Sequence, residues 1–101
     1  MIAEVFQEWI AWPKIANFHI VPVMDTKNDR YLLLTMGWDG PKQIYSVLAH
    51  LDIIDGKIWV QHDQTETGIA NDLVDAGIPR NQIVLGFKSP ERRRDTEFAI
   101  Q

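Results

Sequence analysis

His50, Asp52 and Asp63 are the residues whose types and spacing could do chemistry, and they flank the dipeptide Asp55-Gly56. Asp-Gly between two alternating apolar runs predicts a β-hairpin with a type I′ turn. A two-residue loop there dictates the register: Ile54 opposes Lys57, Asp52 opposes Trp59, His50 opposes Gln61 and Leu48 opposes Asp63. Alternation then gives an apolar face of Val47, Ala49, Leu51, Ile53, Ile58 and Val60, and an opposite face of His50, Asp52, Trp59, Gln61 and Asp63. An imidazole with one or two carboxylates is a donor set for a divalent metal. A carboxylate that orients an imidazole is an acid–base pair. The same face also reads as a protein-binding surface, because Trp59 among hydrogen-bonding side chains has the composition of an interface hot spot. The interface is the preferred reading, with self-association into a dimer expected through Trp59; the rival is that the N-terminal helix or the Arg-rich tail folds back over Trp59 and leaves a monomer. A small metal-dependent enzyme, or a nuclease-associated protein, built on His50, Asp52 and Asp63 is the alternative.

Arg92, Arg93 and Arg94 form a second feature, a candidate basic patch. Arginine grips phosphate through two parallel hydrogen bonds. Here Glu91, Asp95 and Glu97 partly neutralise the run, and the whole chain carries a net charge of −4. Direct nucleic-acid binding usually needs a basic excess and a groove-reading motif, so a solvated loop is the expected role. P-loop, dinucleotide-binding, zincin and nucleophile-elbow signatures are all missing from the sequence. Without cysteine there is no disulfide, thiolate metal site or thiol nucleophile. No catalytic residue, cofactor or metal is therefore expected.

The elements that must position these residues follow from periodicity. The 101 residues suit one domain. Residues 2–11 place Ile2, Val5, Phe6, Trp9 and Ile10 on one stripe of a helix that ends near Trp12-Pro13 and docks on its own sheet. Residues 18–24, 31–38, 42–54 and 57–63 read as strands, with Pro22 pointing to an edge position for the first. Thr65 is the expected N-cap of a second helix over residues 66–76, with Ile69, Leu73 and Ala76 on its apolar stripe. Gly77 supplies a left-handed C′ residue, Ile78 the closing apolar contact, and Pro79 the stop. Residues 83–87 form a short buried strand. The expected class is α+β: an antiparallel meander of four to five strands with both helices on one face. No apolar run is long enough to span a membrane and no signal-peptide pattern opens the chain, so the cytoplasm is the expected compartment.

Several of these residues recur together in a known pattern. Asn28-Asp29-Arg30-Tyr31 is followed by Gly37-Trp38, Tyr45, and the run HLDIIDGKIWVQ from His50 to Gln61. Asp63, Thr65-Glu66, Gly68-Ile69-Ala70, Leu73-Val74, Ala76-Gly77 and Pro79 come next. The pattern closes with IVLGF from Ile83 to Phe87, Pro90, Arg92 or Arg93, Thr96 and Phe98-Ala99. In order and spacing, residues 29–99 resemble the XisI-like family of cyanobacterial excision-controlling factors. The resemblance implies a non-enzymatic accessory protein. It would act with an XisH-like companion of nuclease-like fold while a recombinase excises the fdxN element during heterocyst differentiation. It brings no catalytic residues.

Overall fold

The computed structural model describes residues 2–10, 18–65 and 68–101, together with all side chains of those residues except Ala3, Trp9 and Ile10. The expectations for the side chains of Trp9 and Ile10, and for Trp12, Pro13 and Glu66, lie outside what is described. In chain order the elements are α1 (Ile2–Ile10), β1 (Phe18–Asp25), β2 (Arg30–Asp39), β3 (Lys42–Ile54), β4 (Lys57–Asp63), α2 (Ile69–Asp75), β5 (Ile83–Leu85) and α3 (Pro90–Arg93). The strands form one sheet in the order β1-β2-β3-β4-β5. The first four make the expected antiparallel meander, and β5 joins β4 in parallel because α2 carries the chain back.

Each turn follows from its residues. Asp55 and Gly56 both have positive φ, 51° and 77°, as a type I′ turn demands. Between β1 and β2, the Asp25 carboxylate accepts the backbone N–H of Lys27 and of Asn28, each at 3.1 Å. The Asn28 side-chain amide adds a third bond, and this contact is the main cause holding the Asp25 carboxyl below its usual 3.8. Pro22 lies on β1, an edge strand, where its missing N–H leaves the sheet's interior ladders intact.

The core is built by one face of the sheet and two helices. Ile2, Val5 and Phe6 of α1, and Ile69, Ala70 and Leu73 of α2, are buried in one cluster with Tyr31, Leu33, Ala49, Leu51, Val60 and Ile83. The stripe of α1 thus docks on its own sheet, as its spacing predicted. Ile53 and Ile58 pack against the cluster from its margin. Removing a side chain such as Leu51 from water stabilises the fold by about 1.5–3 kcal/mol.

Two bulges correct the ideal register. On β3, Leu33 pairs with Ala49 but Leu34 pairs with Val47, so Leu48 is an extra residue. Leu48 consequently packs on the core, and Val47, expected there, does not. On β4 the partner of His50 is His62 rather than Gln61, and Asp63 pairs with Ala49 rather than Leu48. A bulge at Gln61 therefore turns Asp63 to the helix side of the sheet.

That turn changes how α2 begins. The helix starts at Ile69 rather than near residue 66, and its N-cap is Gly68, at φ 83° and without a side-chain cap bond, instead of Thr65. Asp63 supplies the missing acceptor: one carboxylate oxygen takes the Ile69 N–H at 2.8 Å, and the other takes the Thr65 N–H at 2.9 Å. The C-terminus is as expected. Gly77 sits at φ 107°, its N–H reaches the Val74 carbonyl, and the Ile78 N–H reaches the Leu73 carbonyl, the two bonds of a Schellman motif.

Candidate interaction face

The face of the sheet turned away from α1 and α2 carries four of the five residues expected on the polar face: His50, Asp52, Trp59 and Gln61. Asp52 and Trp59 stand opposite each other across β3 and β4, and His50 stands opposite His62. The Asp52 carboxylate is the hub. One oxygen lies 2.9 Å from His50 Nε2 and 4.0 Å from Arg30 Nε, and the other accepts the Gln61 amide at 3.3 Å. Asp63 is separated from this group and is held by Thr65 and Ile69.

The arrangement orients one imidazole with one carboxylate. The second carboxylate of the proposed ligand set is on the opposite side of the sheet, and among the described residues no three His, Asp or Glu side chains are placed to hold a metal ion. Asp52 is in contact with a histidine, an amide and a guanidinium, an assembly that fixes side-chain positions on a half-buried surface.

Trp59 is half-buried, and its cover comes from the chain's own C-terminal segment. The guanidinium of Arg93, on α3, lies 5.0 Å from the centroid of the Trp59 ring, a cation–π contact. Arg93 is held there by its Nε–H, which donates to the Leu85 carbonyl at 3.3 Å. Ser89 caps α3 by accepting the Arg92 N–H, and the Ala99 N–H bonds the Ile83 carbonyl, tying the tail to β5. Close approach is possible because Gly86 has no side chain: a Cβ there would stand 3.2 Å from the Trp59 ring and from the Val60 carbonyl oxygen. The three arginines thus divide. Arg93 packs on Trp59, whereas Arg92 and Arg94 are exposed.

Two features were not expected from the sequence. His62 joins His50 only through the bulge, for which the consecutive polar residues Gln61, His62 and Asp63 were a signal, since they break strict alternation. The helix α3 was announced by Ser89-Pro90-Glu91, an N-cap, a proline at the first helical position and an acid in the first turn. The tail's fold-back over Trp59, the rival to a dimer through that ring, is the arrangement found; which arginine makes the contact, Arg93, had no local signal.

The long antiparallel hairpins, the β4–α2–β5 return and the polar outer face define a small α+β protein. Residues 1–100 match the family described as XisI protein, and the chain belongs to that family. A solved XisI-like protein from Anabaena variabilis is 31% identical, with a TM-score of 0.84, and the match covers 98% of this chain and 91% of that one. The fdxN element excision controlling factor XisI from the same organism is 34% identical, with a TM-score of 0.78 and coverage of 99% and 91%. Among curated proteins no sequence matches the chain.

Proposed function

We propose that this chain is an excision-controlling accessory factor that acts by binding proteins and catalyses no reaction itself. The observation that carries this reading is its likeness, across nearly the whole of both chains, to a solved protein named as the fdxN element excision controlling factor. The partner proposed is an XisH-like companion, and the chain also associates with itself. His50, Asp52, Trp59 and Gln61 form the companion's contact surface, with Arg93 framing the Trp59 ring. Asp63 contributes from behind by holding α2 on the sheet. Arg92 and Arg94 remain a solvated patch, and DNA is reached through the companion. The proposed compartment is the cytoplasm. No helix among the described residues is long and apolar enough to cross a membrane.

Co-purification of the tagged chain with its XisH-like companion tests the reading. The expected result is a stoichiometric complex that weakens at least tenfold in Asp52→Arg. A companion that never associates would overturn it. Zinc or manganese binding tighter than micromolar and lost in His50→Ala would instead favour the metal-dependent enzyme. Tight DNA binding by the chain alone, falling steeply with salt, would restore the arginine patch.

A further inference from the structure

Among the described residues the sheet has, besides its β1 edge, a second open edge on β3. β4 covers β3 only from Ala49 to Ile54, and beyond it the Leu48 carbonyl takes the Gln64 N–H at 2.8 Å. Residues 42–47 continue past that point, and among the described residues nothing pairs with their outer edge. The turn between β2 and β3 fixes which backbone groups lie open. Asp39 and Lys42 flank the two-residue loop Gly40-Pro41, with Gly40 at φ 58°, so they bond each other. Lys42, Ile44 and Ser46 then direct their backbone groups to β2, and Gln43, Tyr45 and Val47 direct theirs outward.

Exposed edges are normally blunted by proline, charge or a covering element. The other meander edge, β1, carries Pro22. The β5 edge is bridged by Ala99. From Gln43 to Leu48 there is neither proline nor charge. Tyr45 stands on this stretch with 62% of its surface exposed, and Trp38 on the neighbouring strand with 53%.

We propose that a second copy of this chain adds to the sheet along the open edge of β3, antiparallel, with Tyr45 of both copies on the twofold axis. This rests on the self-association part of the reading above and moves it from Trp59, which Arg93 of the tail covers, to Tyr45. A twofold is isologous, so each contact occurs twice. Tyr45 then pairs with Tyr45 of the second copy, and Gln43 of each pairs with Val47 of the other, all through outward-facing backbone groups. No two like charges stand opposite each other. Lys42, the one charge in the segment, lands at the groove lined by Ser46, Val47, Leu48, His62 and Gln64, an open volume of about 450 Å³. The paired edge is about 20 Å long at ~3.4 Å per residue. A contact of one short strand edge per copy belongs to the small class of interfaces, below about 1,200 Å² in total. A dimer that forms at micromolar concentration is the corresponding expectation.

The absence of cysteine makes the test clean. Tyr45→Cys, oxidised with copper phenanthroline, is expected to yield a disulfide-linked dimer, whereas Thr26→Cys at the far turn stays unlinked. Sedimentation of Tyr45→Lys, folded by circular dichroism, is expected to show dimerisation weakened at least tenfold. Should that variant fail to fold, Gln43→Lys replaces it. A wild-type chain monomeric at hundreds of micromolar overturns both this inference and self-association, leaving companion binding to its own test. A wild-type dimer, with the Tyr45→Cys variant unlinked and Tyr45→Lys still dimeric, overturns the edge alone.

Discussion

The Arg93 guanidinium lies 5.0 Å from the centre of the Trp59 ring and is tethered by its own Nε–H to the Leu85 carbonyl. One residue thus joins the tail to β4 and β5, beside the packing of Phe98 on the core. A planar guanidinium can stack and donate at once, which an ammonium cannot reproduce.

Arg93→Ala is therefore expected to destabilise the fold by about 1 kcal/mol and to loosen the tail. Amide exchange of Ala99, whose N–H bonds Ile83, reports the loosening. Arg93→Lys is expected to restore only part of it. Unchanged Ala99 protection in Arg93→Ala would mean that β5 alone holds the tail.

Asp63 should behave as a capping residue. Its carboxylate serves the Ile69 N–H and Thr65 together, so Asp63→Ala is expected to cost about 1–2 kcal/mol. Asp63→Asn, which keeps an acceptor oxygen, is expected to lose less. Denaturant melts of the three proteins give the ordering, and equal stability of Asp63→Ala and wild type would count against the capping role.

The bulge at Leu48 divides neighbouring residues into different energetic classes. Leu51 is fully buried, so Leu51→Ala is expected to cost roughly 2–5 kcal/mol. Val47, which the unbulged register places in the core, lies outside the core cluster. Val47→Ala is expected to cost under about 1 kcal/mol. Comparable losses in the two variants would contradict the bulge.

Tyr31 offers a test by pH. Burial pushes its phenol above the usual 10.0, and the hydrogen bond to Asp29 adds to the effect. The folded state thereby favours the neutral phenol. Its stabilisation is fully present below 10.0 and is lost as pH rises through the higher folded value. Alkaline denaturation of Tyr31→Phe is expected to show a shallower loss of stability over that range, with the late-ionising tyrosine gone from the ultraviolet titration. Identical alkaline profiles would show that Tyr31 ionises freely.

The limits of the first four strands, the type I′ turn and the Schellman end of α2 were legible in the residues themselves, because each depends on neighbours within a few positions; the fifth strand, expected over residues 83–87, stops at Leu85, where Gly86 and Phe87 turn. Asp55-Gly56 tolerates positive φ wherever it stands, and Gly77 before Ile78-Pro79 ends a helix by local sterics. The division of Leu51 and Val60 from Asp52 and Trp59 followed from the same short-range alternation. The site was legible to the same distance: His50 and Asp52, two apart on one strand, were placed together, and they are 2.9 Å apart.

Beyond the bulges, alternation alone misplaces residues. An extra residue at Gln61 reverses the side of everything after it, so Asp63 went from a supposed ligand beside His50 to the cap of α2. The cost of a bulge is weighed against the packing of α2 on Leu51 and Val60, a balance that no short window contains. The meeting of Arg93 with Trp59, and the open edge at Tyr45, likewise depend on where other strands stop. Local residue chemistry determined which elements form; the tertiary structure decided which side chains they bring together, because contact between distant residues is set by the packing of the whole sheet.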